Sequence, residues 1–323
     1  MSDIYWIGDV GDQSWSNTAN WSGGAVPATG DNVYLLSGSS DINSGLAQSA
    51  VQLASLNVGS SFTGTVGVAG DSGASLQIGA TVLRCFAAPS GSGFLDGGFS
   101  RFKIDFGTST YTGIIQSMGD SQDAGRGALQ IKGGSNTSSL YVTAGSVDVA
   151  TVPGTTATLV LLEVSGGVVT TGSGLTCPTV NQTAGETTGP AVIAQTSGGG
   201  STLIFGGACT TLTQTGGTLY TLGAGLIATI KVGGSAVLGN RPASGNAHTT
   251  LTIDAGGSVD FSADPRPLLI ANPVVMYKGA SLSAFNKTQV QLAGPASLQL
   301  SLVDCGLQDV TINVGNGLAV TVA

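Results

Sequence analysis

Short runs of alternating apolar and polar residues, each closed by glycine, recur along the chain from about residue 50 onward. Ser55-Leu56-Asn57-Val58-Gly59 is one example, and Leu251-Thr252-Ile253-Asp254-Ala255-Gly256 is another. A period of two within each run predicts β-strands that bury one side. Because no stretch offers a capped run of helix-favouring residues, we predict an all-β fold.

The spacing of the turn glycines predicts how these strands are arranged. Turn glycines recur at uneven intervals at Gly145, Gly166, Gly185, Gly198, Gly216, Gly233, Gly256 and Gly279. A loose repeat near twenty residues is typical of a solenoid, whereas a β-propeller blade needs about twice that length and leucine-rich repeats need helices. We therefore predict a parallel β-helix of roughly a dozen rungs.

Composition agrees with stacked rungs. The 323 residues include 52 glycines, only 9% are charged, 41% are hydrophobic, and the mean hydropathy is +0.31. Disordered chains are less hydrophobic and more charged, so disorder is excluded. In a β-helix, equivalent side chains stack about 4.8 Å apart, so like charges would repel along each row and glycine would serve the turns.

The charge distribution narrows the classes of partner. The net charge is −8 and no Lys/Arg cluster occurs, which argues against nucleic-acid binding. The long stretch between Glu186 and Lys231 carries no charge, but it is rich in Ser, Thr, Gln and Gly and does not resemble membrane spans.

We divide the chain into a capping module at residues 1–36 and a β-helix body at 37–323. Residues 94–127 concentrate aromatic and charged side chains and predict a lateral loop region on the body. Residues 240–248 and 264–267 predict two protruding loops. These three segments supply the candidate partner contacts Phe99, Arg101, Phe102, Tyr111, Asp120, Asp123, Arg126, Arg241 and Arg266. The alternative for 94–127 is a long rung whose aromatic rings fill a wider core.

The three tryptophans, Trp6, Trp15 and Trp21, all lie near the start of the chain. The first rung of a solenoid has an open apolar face, and large rings can cover it, so we interpret them as a cap. A sugar-stacking platform is the alternative. Three carboxylates near them could ligate calcium but match no calcium-loop spacing, so we predict no metal site; they are Asp9, Asp12 and Asp31.

The sequence offers little for catalysis. Glycosidic cleavage needs a proton donor beside a second carboxylate, yet Glu163 and Glu186 lie in separate repeats. The only local constellation is Asp120, Asp123 and Arg126. A single histidine, His248, argues against a Ser-His-Asp triad, and four distant cysteines argue against a zinc site. We predict a non-enzymatic protein without a cofactor.

The opening segment resembles a known module. Tyr5-Trp6-Ile7-Gly8, Trp15-Ser16, Asn20-Trp21-Ser22-Gly23-Gly24 and Pro27 resemble the start of many phage-encoded and autotransporter-like β-helix proteins. The resemblance is confined to the capping module, and it implies a bacteriophage virion protein, a head decoration (cement) or spike subunit, and a side-by-side homotrimer. The expected partners are the major capsid protein or another virion protein, and the same expectation includes adhesion to a host surface glycan.

The expected location is the virion, because no secretory signal precedes the module. Two alternatives stay open: a bacterial cell-surface adhesin, and a tailspike that binds or cleaves carbohydrate.

Overall fold

The computed structural model describes residues 1–8, 10–70, 72–87, 94–95, 99–118, 128–172, 174–182, 202–205, 209–214, 218–221, 227–233, 237–240, 250–260, 268–270, 274–284, 290–292, 298–303, 310–314 and 320–322. In these ranges the chain is nearly all strand, and the strands pair in parallel as a β-solenoid. The prediction of an all-β parallel β-helix is confirmed.

The strands of the first half are β1 Asp3–Tyr5, β2 Asn32–Gly38, β3 Ala47–Phe62, β4 Leu76–Ala87, β5 Phe94–Leu95, β6 Phe99–Ser100, β7 Phe102–Asp105, β8 Thr112–Met118, β9 Leu129–Lys132, β10 Ser139–Val142, β11 Ser146–Val149, β12 Ala157–Thr158, β13 Leu161–Val164, β14 Val168–Thr171, β15 Leu175–Thr176 and β16 Thr179–Gln182. Two short 3₁₀ helices, Thr18–Asn20 and Ser22–Gly24, lie between β1 and β2.

The strands of the second half are β17 Thr202–Phe205, β18 Cys209–Gln214, β19 Thr218–Thr221, β20 Ile227–Val232, β21 Val237–Asn240, β22 Thr250–Ile253, β23 Ser258–Asp260, β24 Leu268–Ile270, β25 Val274–Tyr277, β26 Ser281–Ala284, β27 Val290–Leu292, β28 Leu298–Val303, β29 Thr311–Val314 and β30 Val320–Val322.

Two long parallel ladders of strands form the column. Ladder A joins β1, β2, β3, β4, β8, β10, β13, β16, β18, β20, β22, β25, β28 and β30 in that order. Ladder B starts at β4 and joins β7, β9, β11, β14, β17, β19, β21, β23, β26 and β29. Each turn therefore adds one strand to ladder A, and from β4 onward one to ladder B as well.

The first rungs are longer than the sequence predicted. Along ladder A, Val33 pairs with Leu56, Leu56 with Leu83, and Leu83 with Gly113, and each of these steps exceeds the predicted period. From β1 to β16 the chain makes about seven turns, where the predicted period gives about nine. The predicted period was too short because it was taken from Gly145 onward, where some rungs are shorter.

The interior is built from alternate positions of the strands. In ladder A, Leu35, Val58, Cys85 and Ile115 follow one another in register, and all four are fully buried. Their neighbours in sequence point outward, as the period of two requires. The apolar side chains therefore form one continuous column of stacked layers.

Outward polar side chains bond both between rungs and within a strand, which explains why so few charges are needed. The Ser55 hydroxyl donates to Asn32 Oδ1 at 2.8 Å, and Asn57 Nδ2 donates to Ser55 Oγ at 2.8 Å. Uncharged donors and acceptors can alternate along such a row without repulsion.

The opening segment is part of the column. β1 and β2 already pair in parallel, with Ile4 opposite Val33, and β2 pairs with β3. The 1–36 segment thus contributes the first strand of ladder A and most of the second, with the tryptophan-rich stretch between them.

The described part of residues 94–127 mostly continues the ladders. β7 and β8 are rung strands, so the predicted lateral loop region is, in its described residues, largely a long rung. The exception is the antiparallel pair β5–β6, in which Leu95 lies opposite Phe99.

Candidate functional site

The three tryptophans form one buried cluster at the start of the column. Trp15 and Trp21 are 0% and 1% exposed, and Trp6 is 5% exposed. The Trp21 ring meets Trp15 and Trp6 edge-on, with centroids 4.6 Å and 5.0 Å away. Trp21 Nε1 donates to the Trp15 carbonyl at 2.6 Å. Since none of these rings offers a free face, they cannot stack on a sugar, and the burial supports their interpretation as a cap.

The stretch that carries these rings also covers the first edge of the sheet. Trp6 and Trp21 form an antiparallel bridge, and the Ile7 N–H donates to the Asn20 carbonyl at 2.9 Å. The Tyr5 N–H donates to Ser22 Oγ at 2.8 Å. Backbone donors on the open side of β1 therefore find partners inside the chain, which blocks pairing with another strand.

The carboxylates considered for calcium hold this cap together. Asp12 accepts hydrogen bonds from the side-chain amides of Asn17 and Asn20, and these bonds lower its pKa. Asp31 accepts from the backbone N–H groups of Ala28 and Ser2, which lower its pKa in the same way. Asp9 lies outside the described residues. Within the described part of the chain, no group of three His, Cys, Asp or Glu could hold a metal.

Arg101, predicted as a partner contact, is buried and serves the fold. Its Nε donates to the Gly64 carbonyl at 2.9 Å, and its Nη2 donates to the Phe62 carbonyl. The guanidinium also lies 6.0 Å from the Phe62 ring centre. Burial lowers the pKa of Arg101, and the charge of Asp41 partly opposes this. The interpretation of Arg101 as a partner contact is wrong, because only 2% of it is exposed.

Phe102 and Tyr111 are also buried in the core, at 0% exposure each, so neither can contact a partner. The Tyr111 ring stacks on Phe106 with centroids 4.0 Å apart. The alternative interpretation of this segment, aromatic rings filling a wider core, is correct for these residues. The periodicity did contain the signal, since Phe102 and Ile104 alternate with the polar Lys103.

The Tyr111 hydroxyl is buried and has no hydrogen-bond partner among the described residues. We expect Tyr111→Phe to stabilise the protein by about 1 kcal/mol, because it removes an unsatisfied polar atom and keeps the stacked ring. Urea unfolding compared with the half-buried Tyr141→Phe would measure this. A loss of stability specific to Tyr111→Phe would show that the hydroxyl is bonded.

Tyr111→Phe should also change how the stability of the protein depends on pH. Burial raises the pKa of the Tyr111 phenol above its usual range, so the folded protein holds this proton where the unfolded chain releases it. Stability from this group is complete below the unfolded pKa of about 10 and falls as the pH rises above it. Tyr111→Phe should therefore lose less stability between pH 9 and 11 than the wild type.

The remaining predicted contacts lie wholly or partly outside the described residues. The backbone of Phe99 lies in β6, but its side chain lies outside the described residues, as do Asp120, Asp123, Arg126, Arg241 and Arg266 in full. Their interpretation as partner contacts stays a prediction.

A buried lysine that sequence reasoning missed holds a loop. Lys103 is 1% exposed, and its ammonium donates to the carbonyls of Val68, Gly70 and Gly73 at 3.0, 2.7 and 2.8 Å. We call this arrangement the lysine clamp. Three carbonyls use all three donors of an ammonium group. No local sequence motif predicts the lysine clamp, because the loop that it holds belongs to an earlier rung of the chain.

An exposed apolar row lies on the outer side of the first four rungs. Tyr5, Tyr34, Asn57 and Arg84 are in register along ladder A. Two residues further along the chain come Ile7, Leu36, Gly59 and Phe86; Ile7 lies past the end of β1, and register irregularities lie beside Leu36 and Phe86. Ile7, Leu36 and Phe86 are 45%, 44% and 39% exposed, and we call these three the outer apolar row.

Gly59, the third position of this series, leaves no room for a side chain of its own beside Leu36. A Cβ on Gly59 would lie 2.9 Å from Leu36 Cα and 3.1 Å from Leu36 Cδ2, so the leucine occupies the space above it. The row was missed from sequence because its members lie in different repeats.

Beside this row, two tyrosines form a stacked pair that we call the tyrosine column. The rings of Tyr5 and Tyr34 lie 4.9 Å apart and 16° from parallel. Tyr34 Oη donates to Asp3 Oδ1 at 3.5 Å, and Asn32 Nδ2 donates to the same oxygen at 2.9 Å. Partial desolvation and then the charge of Asp3 raise the pKa of the Tyr34 phenol, so it remains a donor.

Two described cysteines are free and buried, as expected for core-filling thiols. Burial raises the pKa of Cys85, and it raises that of Cys177 to about 11, so both thiols are protonated at neutral pH.

Among the described residues, no helix is long and apolar enough to cross a membrane.

No family model, no curated protein and no solved structure matches this chain. The argument for function therefore depends on the residues and their geometry.

Proposed function

We propose that this protein is a non-enzymatic structural component of a bacteriophage virion, a head decoration (cement) or spike subunit that attaches through the outer apolar row. The observation that carries the proposal is that three exposed apolar side chains, Ile7, Leu36 and Phe86, each follow by two residues an in-register position of ladder A, on three of the first four rungs. Contiguous exposed apolar side chains mark surfaces that another molecule covers. A column that presents such a face suits attachment to a larger particle.

The use made of charged side chains supports a structural role. Arg101 and Lys103 bind backbone carbonyls, and Asp12 and Asp31 bind amide donors within the cap. Charges engaged in this way hold loops in place and are not poised for proton transfer.

The virion assignment itself rests on the resemblance of the tryptophan-rich opening segment. The proposed partners are the major capsid protein or another virion protein, with a homotrimer as the assembled form. A decoration subunit stabilises a shell by adding interface area between its neighbours.

Quantitative mass spectrometry of purified phage particles tests the assignment. A decoration subunit is expected at hundreds of copies per particle relative to the major capsid protein, and a spike at a few. Absence of the protein from particles would contradict the virion assignment and favour the cell-surface alternative. Sedimentation equilibrium should give three times the 31.7 kDa chain mass.

Attachment through the outer apolar row is tested with charge substitutions. Leu36→Glu and Phe86→Glu should each weaken binding to particles that lack the protein by tenfold or more, because a carboxylate would be desolvated at the contact. Val160→Glu is the matched control, since Val160 is 38% exposed and lies outside the row. Equal binding by all three variants would show that another face makes the attachment.

A further inference from the structure

Arg84 lies on the outward side of ladder A, beside the outer apolar row. Arg84 and Phe86 flank the fully buried Cys85, so both side chains leave β4 on its outward side. Across the ladder, Arg84 is in register with Asn57, which is in register with Tyr34. Desolvation raises the pKa of the Tyr34 phenol, and the charge of Arg84 opposes that rise. Arg84 therefore places a positive charge among the side chains that border the row.

The neighbouring strands offer this charge no carboxylate. The register partners of Arg84 are Asn57 and Ile114, and Tyr141 follows on the next rung. Glu163 is the next residue of the same column, three rungs from Arg84, and at about 4.8 Å per rung it lies about 14 Å away. Arg84 thus has no counter-ion in its own column within contact distance.

The guanidinium is also not used to hold the fold. Arg101 binds two carbonyls and Lys103 binds three, so both are fixed by the chain itself. In the described part of the chain, no side-chain hydrogen bond or ion pair holds Arg84, which is half-buried. In a chain with 18 acidic and 10 basic residues, a cation without an acidic partner is available to another molecule.

An exposed apolar row with such a guanidinium beside it has the composition of a protein contact. Arginine and aromatic side chains contribute most of the binding energy at protein interfaces. A guanidinium that is covered at a contact loses its hydration, and a carboxylate compensates for this with two parallel hydrogen bonds. The partner must therefore offer a carboxylate as well as apolar side chains.

We propose that the outer apolar row and Arg84 bind a segment of another protein in which an Asp or Glu side chain lies between apolar side chains. The carboxylate pairs with Arg84, and the apolar side chains pack on Leu36 and Phe86. This inference rests on the proposed attachment through the outer apolar row, and it names the chemistry of the partner. An acidic polysaccharide would pair with Arg84 but would leave Leu36 and Phe86 without apolar contacts.

Selection from a random peptide library, with the whole protein as bait, tests the proposal without particles. Peptides that the wild type enriches should carry Asp or Glu flanked by apolar residues. Arg84→Gln should bind these peptides about tenfold more weakly or worse, because the charge-assisted pair is lost. Arg84→Lys should fall between the two, since an ammonium keeps the charge but not the two parallel hydrogen bonds. High salt should weaken the binding of the wild type more than that of Arg84→Gln.

Two further variants separate binding from folding. Arg84→Glu should enrich peptides that carry Lys or Arg in place of the acidic residue, a result that an unfolded protein cannot give. Lys231→Gln is the matched control, because Lys231 is an exposed cation in the same outward column, six rungs from Arg84. It should bind the selected peptides as the wild type does.

Three results would overturn the proposal. The first is that no peptide is enriched or that the enriched peptides lack acidic residues, and the second is that Arg84→Gln binds them as the wild type does. The third is that Arg84→Glu, but not Lys231→Gln, breaks up the homotrimer, which would assign this face to a second copy of the chain. If Leu36→Glu still weakens attachment to particles after any of these results, only the acidic partner is refuted. Absence of the protein from particles would refute only the virion assignment.

Discussion

Trp21→Ala is expected to destabilise the protein by about 4 kcal/mol, the usual cost of removing a fully buried large aromatic side chain. The ring contacts both other tryptophans, and its Nε1 binds the Trp15 carbonyl, so its loss opens the cap at its centre. Because each rung of a solenoid contacts only its neighbours, the damage should begin at the first rung. Hydrogen exchange should accelerate in β1 and β2 well before it does in β13.

Trp21→Phe is the matched variant. It keeps an apolar ring and loses the indole N–H, so it should cost less than half as much as the alanine substitution. Uniform acceleration of exchange along the whole column in Trp21→Ala would contradict a local cap.

Lys103→Met is expected to cost about 3 kcal/mol, the second large effect, because three loop carbonyls lose a charged donor at once while the methionine fills a similar volume. The loop that carries Val68, Gly70 and Gly73 should loosen. This would appear as faster exchange of the Gly73 N–H, which now bonds to the Gly70 carbonyl. Urea unfolding gives the free energy of the change.

Lys231→Met provides the control for the lysine clamp. Lys231 is exposed on the outward side of β20, so its substitution should change the stability by less than about 0.5 kcal/mol. If the two variants were equally stable, the clamp would contribute nothing to the fold.

The fold class could be predicted from sequence because one local rule repeats. Alternation such as Leu56-Asn57-Val58 places each side chain in or out, and glycine closes each run. The length of the repeat was harder to predict from sequence, because successive rungs contain different numbers of residues. The register pairs Leu162–Val180 and Leu83–Gly113 show this difference.

The site residues were harder to predict because charged side chains, which are rare in this chain, were assumed to be exposed. Arg101 and Lys103 stand out in a chain with 9% charged residues, yet each is buried where a loop from an earlier rung supplies carbonyls. Such partners are distant in the chain, and local sequence does not encode them. The outer apolar row was missed for a related reason, since its members lie in different rungs.

The account as a whole requires that successive turns stack into a single column. The most direct test is a set of electron-spin distances between Lys231 and outward positions of ladder A, with all four cysteines changed to serine or alanine before the spin labels are attached. In register steps, Tyr141, Arg84 and Tyr34 lie four, six and eight rungs from Lys231. At about 4.8 Å per rung, the backbone distances should be about 19, 29 and 38 Å. A distance from Tyr34 that is equal to or shorter than the distance from Arg84, as a closed ring or two face-packed sheets would give, would contradict the column.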